Sequence, residues 1–90
     1  MKITYDPAKR EKTLRDRGLD FDDASEVFAG PSLTNIDDRR DYGEVRMQTY
    51  GLLAGRLVLL VWTARDAKRH IISMRKCNVR EQKKVAHRLG

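Results

Sequence analysis

The stretch RLVLLVWTARDAKRHIISMRK, residues 56–76, decides the fold of this chain. An apolar run over Leu57–Trp62 is followed by a polar turn over Arg65–Arg69 and by a second apolar run over Ile71–Met74. Two apolar runs separated by a short polar turn predict a β-hairpin. Because every position of the first run is apolar, that run is typical of a central strand covered on most of both faces.

Two short helices are predicted near the start of the chain, after a strand over residues 2–5. Asp6-Pro7 is typical of an N-cap followed by a first helical position, and the helix it opens runs to about Arg17. This helix has few apolar residues, so only a thin stripe of it can be buried. Asp20 caps a second helix, which ends at Gly30.

Two further strands and a final helix complete the pattern. Strands over Leu33–Ile36 and Glu44–Leu52 flank a charged loop. Asn78 and Glu81 have the spacing of a capping box that begins a C-terminal helix. The predicted order is β-α-α-β-β-β-β-α, a single α+β domain over residues 1–90. Its antiparallel meander carries the first two helices on one face and leaves part of the other face open.

The positive charge of the chain is concentrated at its C-terminal end. Residues 65–90 hold nine Lys or Arg against two Asp or Glu, a net charge of +7, whereas the whole chain carries +6. The first 64 residues are therefore close to neutral. A neutral body with a basic C-terminal segment favours a polyanionic partner, and nucleic acid is the commonest one.

The composition also argues against several kinds of site and location. Cys77 is the single cysteine, so it cannot form an internal disulfide and fits a reducing compartment; we expect it to fill space at a strand end. With only His70 and His87 beside it, no zinc site or other cofactor is expected, although carboxylate sites for iron or manganese stay open. No apolar run approaches the roughly 20 residues that span a bilayer, and no signal region is visible, so we expect a soluble, cytoplasmic protein without a membrane partner.

Three blocks of the sequence, in this order, resemble the BrnT toxins of bacterial type II toxin–antitoxin systems. The blocks are ITYDPAKREKTLRDRGLDFDDASEVF, DDRRDYGEVRMQTYGLLAGRLVLLVWTAR and RHIISMRKCNVREQKK, and together they cover nearly the whole chain. The resemblance implies a RelE-like fold and a ribonuclease that arrests translation. It also implies a small BrnA-type antitoxin, which neutralises the toxin and joins it in repressing their operon.

The chain departs from the family pattern at two positions. Thr13 stands where Asn is usual, and Arg17 stands where His is usual. A permanently charged arginine cannot transfer a proton as histidine does, so a mechanism based on that histidine is in doubt. The positions that match the pattern are Asp6, Lys9, Gly18, Phe21, Ala24, Asp38, Tyr42, Gly43, Arg65, Ile72, Ser73, Arg75, Lys76 and Glu81.

Cleavage of RNA without a metal needs a base for the 2′-hydroxyl, cations around the phosphorane and an acid for the departing 5′-oxygen. Arg65, Arg75 and Lys76 are the predicted catalytic cations. Arg75 suits this role because its guanidinium fork can bind two phosphate oxygens at once. The alternative for Arg75 is a solvated strand end or an ion pair with Asp66 or Glu81.

Alternation along the last strand predicts which of its side chains are open. Odd-numbered residues from 71 to 75 share one face, and even-numbered residues from 72 to 76 share the other. We expect Ile72 and Met74 in the core, which leaves Ser73 and Arg75 on the more open face.

Two further residues complete the predicted catalytic set. His70 would act as base or acid, because its ordinary pKa lies near the working pH; the alternative is an exposed or packed histidine at a strand start. Tyr42, on the charged loop, would stack on a base or donate its proton, and the alternative is a packed turn tyrosine. The predicted RNA-binding residues are Lys9, Lys12, Arg17, Arg69 and Ser73, whose alternative is a solubilising surface.

Two functions from different classes fit these residues. The first is a toxin endoribonuclease, which the family resemblance favours. The second is a non-catalytic module, or a degenerate toxin, that holds an antitoxin and through it operator DNA. The cations alone serve both functions. We expect any higher assembly to come from dimerisation of the antitoxin.

Overall fold

The computed structural model describes residues 2–89, and these form a five-stranded mixed sheet with three α-helices in the predicted order. The predicted α+β class is confirmed, and most element ends agree with prediction within two residues. The elements are β1 Ile3–Tyr5, α1 Pro7–Arg17, a 3-10 helix Phe21–Asp23, α2 Ala24–Ala29, β2 Ser32–Asp37, β3 Arg46–Leu53, β4 Arg56–Arg65, β5 Lys68–Lys76 and α3 Val79–Leu89.

Local capping accounts for the helix boundaries. The Asp6 carboxylate accepts the N–H of Ala8, and α1 ends at Gly18 in a left-handed conformation with φ of 69°. Asp20 accepts the N–H of Asp22, but it caps the 3-10 helix that leads into α2 rather than α2 itself. These short-range contacts are the ones that sequence spacing predicts.

The strands lie side by side in the order β1-β5-β4-β3-β2. From β2 to β5 every neighbouring pair is antiparallel, which confirms the predicted meander. The strand β1 adds a parallel edge by pairing with residues Arg69–Ile71 of β5. The central strand is β4, and its residues Leu57–Thr63 are all buried.

Both long hairpins close through two-residue turns. Ala54-Gly55 and Asp66-Ala67 have positive φ at both residues, the type I′ geometry that matches the twist of the flanking strands. The predicted polar turn over Arg65–Arg69 is therefore too long. Arg65 pairs with Lys68, so the ladder continues to the turn and only two residues leave it.

The larger core lies between α2 and one face of the sheet. Its members include Phe21, Val27, Val58, Leu60, Ile71 and Met74, all fully buried. Trp62 lies at the margin of this core, where its Nε1–H donates to Thr49 Oγ1 at 2.8 Å. The helix α1 contributes no buried residue, in keeping with its thin apolar stripe, and Leu14 is 43% exposed.

A β-bulge in β5 changes which residues enter this core. Ile71 and Ser73 pair with adjacent residues of β4, so Ile72 between them is an extra residue. Ile71 and Met74 are fully buried, whereas Ile72 is only half-buried. The prediction of Ile72 as a core residue is therefore wrong, because the extra residue shifts the alternation of side chains along the strand.

The opposite face of the sheet is covered only in part, by α3. A smaller cluster of Leu57, Leu59, Cys77 and Val85 is buried beneath this helix, so Cys77 fills the strand end as predicted. The part of this face beyond α3 carries Thr4 of β1 and His70, Ser73 and Arg75 of β5, all half-buried, and is called the open face below; Val61 and Thr63 of β4 on the same face are buried. Within residues 2–89, no helix is both long enough and apolar enough to cross a bilayer.

Candidate functional site

The bulge in β5 brings three candidate residues, His70, Ser73 and Arg75, to the open face. Their β4 partners are Thr63, Val61 and Leu59, in that order. These partners alternate along β4, and residues that pair across a ladder share a face. His70 and Ser73 are three residues apart and would lie on opposite faces of a regular strand. The extra residue between them places both on the face that carries Arg75, with Ser73 between His70 and Arg75 along the strand.

His70 is half-buried between β1 and β4. Its Nδ1 atom and Thr4 Oγ1 are hydrogen-bonded at 2.9 Å. Burial lowers the pKa of His70 below its ordinary 6.5, the positive charge of Arg65 lowers that pKa further, and Glu44 partly opposes both. Two weaker influences act in opposite directions, because Lys9 lowers the pKa of His70 and Asp6 raises it. The imidazole is therefore biased toward its neutral form.

Arg65 ends β4 on the same side of the sheet as His70. Its Nη2 donates to the two carboxylate oxygens of Glu44 at 3.0 and 3.3 Å. This ion pair ties the loop before β3 to the end of the central hairpin. The Arg65 side chain remains 51% exposed, so one side of its guanidinium is free to meet an anion.

Arg75 is held in a two-point ion pair with Glu81. Arg75 Nη1 donates to Glu81 Oε1 at 2.8 Å, and Nη2 donates to Oε2 at 2.6 Å. The same carboxylate accepts the N–H of Asn78, which completes the predicted capping box of α3. Arg75 holds the pKa of Glu81 down at about 2. The ion-pair alternative is therefore present, yet the Arg75 side chain is still 40% exposed.

Tyr42 belongs to a network that folds its loop against the sheet. The buried Asp37 carboxylate accepts Arg39 Nε and Nη2, each at 2.8 Å, and the Tyr42 hydroxyl at 3.2 Å. The Arg39 fork holds the pKa of Asp37 down at about 2. The Arg46 guanidinium lies 4.1 Å from the centre of the Tyr42 ring. Tyr42 thus has the packed arrangement that was its alternative.

The α1 cations face β5 across a cleft of about 150 Å³, which five residues of α1 line together with Ile72 and Ser73. Lys9 and Lys12 are among those five, so both line the same cleft as Ser73. Lys12 pairs with Asp16 at 2.6 Å. Arg17 Nη1 donates to the Met74 carbonyl at 2.9 Å, so this side chain fastens α1 to the edge of β5.

Two of the predicted residues, Arg69 and Lys76, lie away from the open face. The Arg69 guanidinium is 4.0 Å from the ring centre of Phe28, on the side of the larger core. Lys76 pairs with Val58, a fully buried member of the same core. The structure therefore does not place either side chain on the face that carries His70.

A second cleft, of about 390 Å³ between α3 and strands β2 and β3, was not foreseen from the sequence. Tyr50, Lys84 and Arg88 line it, together with Glu81, the partner of Arg75. The one sequence signal for this cleft is the four-residue spacing of Lys84 and Arg88, which places them on one side of α3. Residues 2–89 hold no group of three or more His, Cys, Asp or Glu side chains arranged as metal ligands.

Comparison with protein-family models matches residues 5–81 to one family, described as the ribonuclease toxin, BrnT, of type II toxin–antitoxin systems. The matched segment begins in β1 and ends in the first turn of α3. It therefore contains strands β2 to β5, the last residue of β1 and all three residues that the bulge brings to the open face. A search of curated proteins finds no match to the chain.

Proposed function

Because this chain belongs to the BrnT family of ribonuclease toxins from type II toxin–antitoxin systems, we propose that it is a metal-independent endoribonuclease acting at the open face. Translation arrest in the cytoplasm follows from cleavage of RNA there. A type II toxin has an antitoxin partner, and we propose a small BrnA-type protein in that role. The antitoxin would carry operator DNA binding and join toxin units into larger assemblies.

The juxtaposition of His70, Ser73 and Arg75 on one face is the observation that carries this proposal. Arg65, which lies on the same side of the sheet as His70, adds positive charge to this face. A titratable group biased toward neutrality, on one face with a guanidinium and a hydroxyl, supplies the base and the anion donors that RNA cleavage requires.

In the proposed reaction, His70 takes the proton of the 2′-hydroxyl. This role requires the tautomer in which Nδ1–H donates to Thr4 Oγ1, because Nε2 is then left to accept that proton. The 2′-oxygen forms a bond to phosphorus, and the bond from phosphorus to the 5′-oxygen breaks. Arg75 donates to the phosphate oxygens as negative charge develops on them. The 5′-oxygen leaves with a proton drawn from the imidazolium or from water.

A non-catalytic or degenerate member is the second candidate, and two contacts favour it. Arg75 is already paired with Glu81, and Arg17 serves as a fastener between α1 and β5. In such a protein, Arg75 stabilises the fold through Glu81 and does not contact RNA. Such a protein would bind its antitoxin tightly and would not be toxic.

Inducible expression in a bacterial host, with RNA 5′ ends mapped after induction, tests the proposal. Wild type is compared with Arg75→Ala and with Arg56→Ala, a matched control because Arg56 is exposed at a distant hairpin. We expect growth arrest and new RNA ends from wild type and the control only. Cleavage by purified protein in the presence of a chelator tests metal independence. Folded wild-type protein that produces no new ends would refute the nuclease and favour the second candidate.

A further inference from the structure

We propose that the cleft between α3 and strands β2 and β3 holds the RNA strand on one side of the scissile phosphate. Lys84 and Arg88 would bind phosphates of that strand, and Tyr50 would stack on a base. The inference rests on the proposed function, because it extends the same RNA beyond the open face.

The cleft has the size and the lining of a nucleotide site. Its volume of about 390 Å³ lies in the range of small-ligand sites. Leu33 and Val85 give it an apolar floor, and Asn35 adds an amide that can donate or accept a hydrogen bond. The half-buried Tyr50 presents an aromatic ring, and unstacked bases of single-stranded RNA bind to such rings.

The lining of this cleft carries more positive than negative charge. Lys84 and Arg88 are one helical turn apart, and neither has an ion-pair partner within residues 2–89. The one acidic residue of the lining, Glu81, is already engaged by Arg75. Two unpaired cations above an apolar floor and an aromatic ring favour a strand that carries both phosphates and bases.

The cleft is continuous with the proposed catalytic residues. Tyr50 and Arg75 both pair with Leu59, from opposite sides of the central strand. Glu81 lines the cleft and also holds Arg75, so the cleft opens beside that guanidinium. An RNA strand bound at Lys84 can therefore reach Arg75 without crossing a helix.

Binding of a single-stranded 2′-O-methyl RNA oligonucleotide, which cannot be cleaved because its 2′-hydroxyls are blocked, tests the inference. The double variant Lys84→Ala/Arg88→Ala is compared with Arg80→Ala/Lys83→Ala. The control pair removes the same charge from exposed positions of α3 that do not line the cleft. Affinity is measured over a range of salt concentrations, and thermal unfolding verifies that each variant is folded.

We expect the cleft variant to bind about tenfold more weakly than the control variant, with its salt slope reduced by about 1.4 for two lost phosphate contacts. Tyr50→Ala should also bind about tenfold more weakly, whereas Tyr50→Phe keeps the ring and its affinity. Equal losses in both double variants would show a general charge effect and overturn the inference. Loss of antitoxin binding with RNA binding retained would make the cleft a partner site and overturn it as well.

Failure of the inference and failure of the proposed function remain distinguishable in this design. If wild type cleaves RNA and the two double variants bind the oligonucleotide equally, the cleft inference is wrong and the nuclease stands. If wild type binds the oligonucleotide through the cleft but cleaves no RNA, the nuclease is wrong and the cleft is an RNA-binding site only.

Discussion

Arg75 and Glu81 are joined at two points, with guanidinium-to-carboxylate distances of 2.8 and 2.6 Å. The Glu81 carboxylate also accepts the N–H of Asn78, so it fixes both the arginine fork and the first turn of α3. A guanidinium held in this way loses little further freedom when a phosphate meets its exposed edge. The pair therefore connects the proposed phosphate site to the helix that lines the second cleft.

We predict that Arg75→Lys lowers the cleavage rate by a factor of about 10²–10³ although the charge is kept. Lysine offers a single point charge and cannot reproduce the two-oxygen contact of the fork. Single-turnover cleavage of an RNA oligonucleotide measures this rate, with Arg56→Lys as control. Equal rates for the two variants would show that Arg75 does not bind the reacting phosphate.

Glu81→Gln should reduce stability in a pH-dependent manner. The pKa of Glu81 is about 2 in the folded protein against an ordinary 4.5, so its stabilisation is complete above pH 4.5 and is lost as the pH falls toward 2. We expect the variant to be less stable by about 1 kcal/mol near pH 7, and the difference to vanish near pH 2. Urea unfolding at a series of pH values measures it. Asp37 titrates alike in both proteins and does not affect the comparison. A difference in unfolding free energy that stays constant with pH would show that Glu81 does not stabilise the fold through its charge.

Arg65→Ala should raise the pKa of His70. The Arg65 charge lowers that pKa, and its removal also frees Glu44, which raises it. If His70 is the base, cleavage increases as the pH rises through its pKa, so the variant should need a higher pH to reach full rate. NMR titration of the imidazole and the pH–rate profile measure the two effects. Lys68→Ala, at an exposed turn position, is the control; a pKa of His70 that stays in place in both variants would contradict the prediction.

Gly51→Ala should destabilise the larger core. A Cβ at residue 51 would lie 2.6 Å from Val27 Cγ1 and 3.3 Å from the Val27 carbonyl oxygen. We expect a loss of about 1–3 kcal/mol from this overpacking. The second substitution Val27→Ala removes the closer contact, so the double variant should be more stable than the sum of the single losses implies. Strictly additive unfolding energies would show that the two sites do not touch.

Ala67→Gly should stabilise the protein. Ala67 has a φ of 61° in the turn from β4 to β5, a conformation that costs a side chain about 1 kcal/mol and costs glycine little. The greater flexibility of glycine in the unfolded chain offsets part of this gain. Thermal unfolding of wild type and variant, beside Ala64→Gly in the adjoining strand, measures it. We expect a higher midpoint for the turn variant and a lower one for the strand variant.

Much of the fold could be predicted because its signals are local. Asp6 and the pair Asn78 and Glu81 act within a few residues of their own positions, so their spacing alone indicates where helices begin. The parallel pairing of β1 with β5 joins residues more than 60 positions apart. No local pattern specifies such a partner, because β1 can pair only with a strand at an edge of the meander. Which strand that is depends on the tertiary arrangement of the whole sheet.

The candidate site could be predicted in part for the same reason. Arg75 and Ser73 were placed together correctly, since they are two residues apart on one strand. His70 joins them only because Ile72 is an extra residue, and a bulge is set by the register against β4 rather than by β5 alone. The second cleft was missed because its lining comes from β2, β3 and α3, which are separate in sequence.

Cys77 offers a way to count how often α3 leaves the sheet. Its thiol is 4% exposed beneath that helix, and burial raises its pKa to about 11. While α3 is packed against the sheet, the Cys77 sulfur is both buried and protonated, so an alkylating reagent cannot react with it. The rate of Cys77 alkylation therefore measures how often α3 separates from the sheet. A bound RNA strand or antitoxin that holds the helix in place would lower this rate.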